Sequence, residues 1–503
     1  MSAATATRER PTVLLSCLNG FSVRYLLRTD ILATLRASGA RIVVLFGGAD
    51  DPEFVREFAS DGVILRRLRN DVYADYEAQH PVTQFLKLVK RFTLNGDHDT
   101  TTIDAFFRLH TLRGHGLRQR LYLAVQRAAV FALKRSGWLR RALVALENTW
   151  YAPAVHEDVF AEFKPDVVVV TTLGYLDYDY YVMREGRRHG ARLVSVILSW
   201  DNPTSKGIGG VRADHVIAWT DNMKRELVEL HEYEPSQVSV GGVAHFDEYV
   251  RPGSAMPRQA FESLFSLDAS RRTIFFAGKS PSAYPWNPEL IETLAQAAED
   301  GRFGEPCQVI ARVHPAQFVK KHAVVGTGRS VQDVNWQRYE ELLARYPLLR
   351  FSVPKIRVGS AFDIDRDEAL ILTSLLTYSD AVVNCFSTIN LEGAILDRPL
   401  VNVGFNGTGL SPSRNPRHDI LFDERQTHNN RVAVSGGVCI ARNPAELVAM
   451  VAEALTDPGR DRDGRRRLVE TECGGTYLGR AGRRVAELIL EQASASGRGA
   501  QAA

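Results

Sequence analysis

Short runs of Val, Ile and Leu recur along the chain, separated by longer stretches in which apolar residues return at helical spacing. That alternation predicts parallel strands covered by helices. The runs are TVLLSCL (12 to 18), RIVVLFG (41 to 47), DVVVVTT (166 to 172), RLVSVIL (192 to 198) and HVIAWT (215 to 220). A second series follows a break: RTIFFAG (272 to 278), QVIARV (308 to 313), DAVVNC (380 to 385) and PLVNVGF (399 to 405). Between the series lies YVRPGSAMPRQAF, whose prolines and glycine suit a linker. The pattern predicts an α/β protein with two Rossmann-like domains, 11–255 and 256–442, facing across a cleft, with ligands at the carboxyl ends of the strands. Helical rather than strand patterning over about 80–160 marks an insertion in the first domain. Helices follow over 443–492, the first opened by Asn443 as cap, Pro444 and Glu446. The tails, 1 to 10 and 493 to 503, are too polar and small-residued to order themselves.

At 503 residues the chain exceeds what one core usually serves, which agrees with two domains. A hydrophobic fraction of 45% with 24% charged residues is that of a folded protein, and a net charge of +3 does not point to nucleic acid. Five scattered cysteines without a CxxC pair read as reduced and structural. The N-terminus offers no apolar core for a signal peptide, and no uninterrupted apolar run reaches membrane-spanning length. The expectation is a cytoplasmic protein whose membrane contact, if any, is peripheral on the inner face. Residues 105–145 bear on this, with nine Lys or Arg and no Asp or Glu among Leu, Val, Phe, Tyr and Trp138. Such a stretch suits an anionic bilayer surface, and equally a solvated basic face over an ordinary core helix.

Candidate chemistry gathers after the runs. In NCFSTINLEGAILDRPLVNV (384 to 403), Ser387, Thr388 and Asn390 open a helix whose unpaired N–H groups favour a diphosphate, and Glu392 suits ribose hydroxyls. The plainer reading is capping of that helix by Ser387. In ARVHPAQ (311 to 317), Arg312 offers a fork for phosphate and His314 a donor to a leaving oxygen, with Pro315 ending the strand. In SWDNPTSKGIGG (199 to 210), Asp201 and Lys206 are the only charges of a shaped loop, and Asp201 suits a general base towards an acceptor hydroxyl. Trp200, Asn202 and Gly209 complete this acceptor loop. Lys279, with Ser280 and Ser282, stands at the mouth of the second domain's first strand and suits phosphate. His245 and Asp247 fall at the hinge and read as structural. Asp177, Tyr178 and Asp179 have the form of a metal-binding DxD but read as a helix start, so no metal is expected. Neither a GxxxxGK[ST] loop nor an HExxH site occurs, against a P-loop NTPase or a zincin.

Taken together, these residues make the chain similar to the CDP-glycerol glycerophosphotransferase group and neighbouring surface-carbohydrate enzymes of the GT-B superfamily. That group carries W-H-G-T-P-x-K-x-x-G, matched in spacing by Trp200, Lys206 and Gly209. It also carries R-x-H-P, matched by Arg312, His314 and Pro315. Its late D-x-x-x-x-x-x-S-[ST] element, followed by a proline-led strand, is matched by Asp380, Ser387, Thr388 and Pro399. GVAHFDEY is similar to its G-x-P-R-x-D hinge, and the resemblance covers about residues 165 to 405. One departure matters: Asp201 stands where the group has its loop histidine. Aspartate serves as base in many inverting glycosyltransferases, so the change favours glycosyl over polyol-phosphate transfer. The resemblance implies a nucleotide-sugar donor held by the second domain, a glycan or lipid-linked acceptor beside Asp201, and no metal or other cofactor. Three other readings stay open: a CDP-glycerol-type polyol-phosphate transferase, a UDP-sugar 2-epimerase, and a non-catalytic GT-B scaffold of polysaccharide assembly.

Overall fold

The computed structural model describes residues 10–112, 116–174, 178–314, 336–355, 366–407 and 418–495. These described residues form two compact units, one drawn from Met1–His245 and Arg480–Ala503, the other from Phe246–Gly479.

Unit 1 is built on β1 (Thr12–Cys17), β2 (Arg41–Phe46), β3 (Val63–Arg67), β4 (Val167–Val170), β5 (Arg192–Val196), β6 (His215–Ala218) and β7 (Val238–Val240). The sheet is parallel throughout in the order β3-β2-β1-β4-β5-β6-β7, so chain direction across the sheet reverses between β1 and β4. β1 and β4 are buried along their whole length, which is why they read as unbroken apolar runs. Unit 2 repeats the plan with β8 (Arg272–Ala277), β9 (Cys307–Arg312), β10 (Leu349–Ser352), β11 (Ala381–Asn384), β12 (Leu400–Val403) and β13 (Cys439–Ala441). Its order is β10-β9-β8-β11-β12-β13, again parallel, with the reversal between β8 and β11. Ile274, Phe276, Val309, Val383 and Val403 pack there with Leu290, Leu294, Leu447 and Val451 of the covering helices.

The strands that the sequence pattern misses are β3, β7, β10 and β13, and all four are sheet edges. An edge strand is half covered, so VILRR, VSV, LRFS and CIA carry no long apolar run.

The passage between units falls at 245/246 rather than about 255, and the chain crosses again at 479/480. The Pro252–Gly253 turn is therefore not the crossing point. It is pinned within unit 2: Met256 N donates to Ser374 Oγ at 3.0 Å, and Tyr378 Oη to Met256 O at 2.6 Å. The last helix, Ala481–Ser494, belongs with unit 1, burying Val485, Leu488 and Ile489. Gly482 permits this, since a Cβ there would stand 3.0 Å from the backbone of Asp30. Asn443 caps the helix Pro444–Thr456 through a 2.9 Å bond from Glu446 N.

Between β3 and β4 runs a helical insertion. Helices Pro81–Arg91, Thr101–Thr111, Leu117–Arg135 and Gly137–Trp150 share a small core of Val89, Phe92, Leu94, Ile103, Val130 and Leu133. A buried carboxylate ties it to the sheet: Glu147 meets Lys90 and, at 3.2 Å, Arg184 of the helix Asp179–Arg188. Two cations of the basic stretch are paired within the chain, Lys134 with Asp104 at 2.5 Å and Arg140 with Glu232 at 2.8 Å. The five cysteines are thiols.

The segment 207–210 threads between this insertion and the sheet. Ile208 N donates to Thr93 O and Gly210 N to Gly174 O. A Cβ on Gly207 would lie 1.8 Å from Lys90 O, and one on Gly209 1.6 Å from Leu173 O. Gly209→Ala should therefore cost about 1–3 kcal/mol or more, since backbone must move. Denaturant unfolding checks this against Gly459→Ala, where the nearest atom stands 3.5 Å away.

Candidate functional site

A parallel sheet opens a crevice at the carboxyl ends of its strands where strand order reverses, which in unit 2 is between β8 and β11. Lys279, just past β8, reaches across that point. Its Nζ donates to Cys385 O at 2.9 Å and Phe386 O at 3.4 Å, and pairs with Asp423 Oδ2 at 2.5 Å. Asn287 fixes its backbone, accepting from Lys279 N at 3.0 Å and donating to Lys279 O at 2.9 Å.

The facing turn is held by three buried asparagines. Asn384 ends β11 and lies in register with Asn402 of β12. Asn390 Oδ1 accepts from Asn384 Nδ2 at 2.8 Å and from Asn402 Nδ2 at 2.9 Å, and Asn390 Nδ2 donates to Asn402 Oδ1 at 3.1 Å. Asn402 Oδ1 also accepts from Phe386 N at 3.0 Å, and Asn384 Oδ1 from Ser387 N at 3.2 Å. These bonds hold Phe386 at φ 46°, a left-handed conformation that a bulky residue seldom adopts.

The expected donor residues divide accordingly. Ser387 and Thr388 are half-exposed at the turn, beside Lys279's carbonyl partners. Ser387 does not cap the helix Ile389–Ile395: its Oγ turns back to Asn384 Oδ1 at 3.3 Å, and Thr388 stands at the cap position. Asn390 faces inward with both amide atoms engaged, a scaffold residue rather than a donor contact. Glu392 is buried at 4% exposure, which sets it apart from a ribose. Arg312 is committed to Ser352 Oγ at 2.8 Å and to the buried carboxylate of Glu368 at 2.8 Å, so its fork is filled from within the chain. His314 lies near both Arg312 and Lys279. Burial, then the charges of Lys279 and Arg312, pull it down to about 4, so it is neutral at neutral pH. Asp380 stands at the opposite end of the strand, accepting from Thr273 N at 2.8 Å and pairing with Arg272 at 2.9 Å. Pro315 and Asp177 lie outside the described residues.

In unit 1, Asp201 follows β5. Its Oδ1 accepts from Ser199 Oγ at 2.5 Å, its Oδ2 from Ser205 Oγ at 2.6 Å, and Lys206 Nζ stands 3.9 Å away. Trp200 and Asn202 are buried beneath the loop, and His231 Nε2 meets Pro203 O at 2.8 Å. His245 is half-buried, edge-on to Tyr25 and Trp219, and Asp247 accepts from Gly479 N at 2.7 Å, both reading as structural. Asp179 is buried too, accepting from Thr172 Oγ1 at 2.8 Å and Ser16 Oγ at 3.4 Å. Among the described residues no cluster of His, Cys, Asp and Glu is arranged to hold a metal.

Sequence reasoning missed Asn384, Asn402, Asn287 and Asp423. The signal for the first two was present, an asparagine closing or interrupting each of two neighbouring apolar runs.

No protein-family model and no curated protein matches the sequence. Among solved structures, a glycosyltransferase from Rickettsia africae matches at TM-score 0.50 and 10% identity, over 96% of this chain and 99% of that one. A UDP-GlcNAc 2-epimerase from Methanocaldococcus jannaschii matches at TM-score 0.49 and 12% identity, over 96% and 99%. The chain has the GT-B fold. At such identity the likeness extends to the fold alone, and it does not single out the CDP-glycerol group.

Removing Asn390 tests its assignment as scaffold. Asn390→Ala strands two buried amide donors and should cost about 1–3 kcal/mol in denaturant unfolding. Nucleotide affinity of the folded fraction should stay within twofold. A large loss of affinity at unchanged stability would return Asn390 to the binding residues.

Proposed function

We propose that this chain is a glycosyltransferase using a nucleotide-diphosphate-activated sugar donor in cell-surface polysaccharide or glycolipid assembly. The observation that carries the reading is Lys279, whose ammonium lies at the strand-order reversal of unit 2 beside a neutral His314 and the half-exposed hydroxyls of Ser387 and Thr388. A diphosphate is the ligand these groups fit: a cation, a neutral imidazole, the Thr388 hydroxyl, and the Ser387 hydroxyl, which would turn from Asn384 Oδ1 to the ligand. Asp423 holds Lys279 without ligand, and the donor takes its place as counter-ion. Asp201 of unit 1 takes the proton from the acceptor hydroxyl. The acceptor oxygen then bonds to the anomeric carbon as the sugar–diphosphate bond breaks, and the leaving charge falls to Lys279 and His314 without a metal.

The acceptor, a glycan or a lipid-linked group, meets the enzyme at the inner face of the cell membrane, with the protein in the cytoplasm. Among the described residues no helix is long and apolar enough to cross a membrane. The support for surface contact is the outer side of the helices Leu117–Arg135 and Gly137–Trp150. Leu117 is 84% exposed, Leu121 66%, Trp138 68% and Trp150 67%, with Arg118, Arg120 and Arg127 exposed among them. Large apolar side chains interleaved with arginines suit an anionic interface.

Two experiments test the reading. Incubation with a panel of nucleotide donors, followed by product analysis by mass spectrometry and NMR, should yield a glycoside. A phosphodiester would favour polyol-phosphate transfer, an altered donor sugar epimerisation, and binding without turnover a scaffold. In the same assay Asp201→Asn should lower transfer about 100-fold or more while sparing donor binding; unchanged transfer rejects Asp201 as the base. Separately, the protein should float with anionic vesicles at low salt and be released by high salt, and Trp138→Ser with Trp150→Ser should weaken flotation. Absence of lipid association at low salt rejects the membrane contact.

A further inference from the structure

Under the helix Gly137–Trp150, wholly within unit 1, lies a cavity of about 460 Å³ that none of the roles above uses. Six arginines line it: Arg140, Arg141, Arg184, Arg187, Arg188 and Arg212, against one lining carboxylate, Glu232. Three of the six are neutralised, Arg140 by Glu232, Arg184 by Glu147 and Arg187 by Asp214. The other three make no close ion pair among the described residues, although Arg141 and Arg212 lie in the field of Glu232 and Arg188 in that of Glu185. Among the described residues Arg188 donates to the carbonyls of Ala152 (2.7 Å) and Pro153 (3.2 Å), and Arg212 to those of His231 and Glu232 and to the Gln237 amide. Arg141 makes no hydrogen bond or ion pair among the described residues.

The remaining wall is apolar, with Val144, Leu173 and Ile208 among its residues, and Gly209 of the acceptor loop closes it. Arg141, Val144, Ala145 and Asn148 are spaced to form one helix face towards the cavity, and the exposed Trp138, Leu146 and Trp150 form another. A positively charged recess with apolar walls thus opens beside the helix face that carries the exposed tryptophans.

We infer that this cavity receives the phosphate or diphosphate head of a membrane lipid, with the first part of the tail against its apolar wall. This deepens the reading above, on which it rests, by giving the lipid-linked acceptor a site. Three guanidinium groups held outside any close ion pair match the two or three charges of such a head, each able to hold phosphate oxygens with paired N–H donors. The loop that carries Asp201 contributes Ile208 and Gly209 to the wall, so the acceptor's head is gripped by the same loop that supplies the proposed base.

The test uses geranyl diphosphate, a water-soluble probe carrying head and short tail, and inorganic pyrophosphate, which has the head alone, on the full chain by calorimetry without vesicles. Geranyl diphosphate should bind at least tenfold more tightly than pyrophosphate, and Arg141→Glu with Arg188→Glu should weaken it at least tenfold. Val144→Trp, which fills the cavity without changing charge, should weaken it comparably, with circular dichroism confirming that each variant is folded. Equal affinity for the two probes would mark a free-anion site and overturn the proposal, as would undiminished geranyl diphosphate binding in the variants. Because no bilayer or donor is present, the outcomes separate: flotation without probe binding sinks the cavity alone, and probe binding without flotation sinks the membrane contact alone.

Discussion

A parallel strand covered by helices on both faces has one place to present polar chemistry, its carboxyl end, and both sheets here are parallel throughout. The chain must also turn there, in surroundings too dry to leave backbone groups unpaired. Unit 2 meets that demand with side-chain amides. Asn384, Asn390 and Asn402 bond to one another and to the N–H groups of Phe386 and Ser387, and the strained φ of Phe386 persists because these bonds over-determine the turn. The amides so used are unavailable to a ligand. On the outer side stand Lys279, paired with Asp423, and the half-exposed Ser387 and Thr388, and this division between inward scaffold and outward polar groups defines the candidate site.

Unit 1 meets a comparable demand with charge. Glu147, 1% exposed, lies between the buried ammonium of Lys90 and the guanidinium of Arg184. Burial lowers Lys90 from its ordinary value, and Glu147 opposes the shift. Removing one member of such a group leaves a buried charge without its partner, a loss of about 3–5 kcal/mol where it has been measured. The triad joins the helices Pro81–Arg91, Gly137–Trp150 and Asp179–Arg188. It therefore sets which way the insertion's other faces point, including the one over the arginine cavity.

This explains what was legible beforehand. Interior strands announce themselves because burial on both faces demands a continuous apolar run, whereas β3, β7, β10 and β13 are edges with no such demand. Lys279, Ser387 and Asp201 were readable as polar residues placed just after strands. Their neighbours were not, because a partner's identity depends on contacts distant in sequence. Arg312 read as a phosphate fork until Glu368, 56 residues on, proved to occupy it. The window 105 to 145 contains no acid, yet Lys134 pairs with Asp104 just outside it and Arg140 with Glu232 far along the chain. An acid-free window thus overstates free charge. The proline-rich segment near 255 looked like a crossing for the same reason, since the bonds pinning it to Ser374 and Tyr378 come from more than a hundred residues away.

Arg140 and Arg141 carry that lesson to its sharpest form. Adjacent residues on a helix project about 100° apart, so of these two lining guanidinium groups one closes an ion pair with Glu232 while its neighbour feels that carboxylate only at longer range. Their chemistry is identical and their electrostatic situations differ. A paired charge contributes little field beyond its partner, whereas an unpaired one beside apolar walls acts through a lower local dielectric and reaches further. A small hydrated anion entering such a recess gains the field but gives up its water. An anion attached to an apolar tail gains the field and the area buried against the wall together, at roughly 25 cal/mol for each Å² of apolar surface. Arginines set among apolar side chains beside exposed tryptophans would therefore favour amphiphilic anions over simple ones.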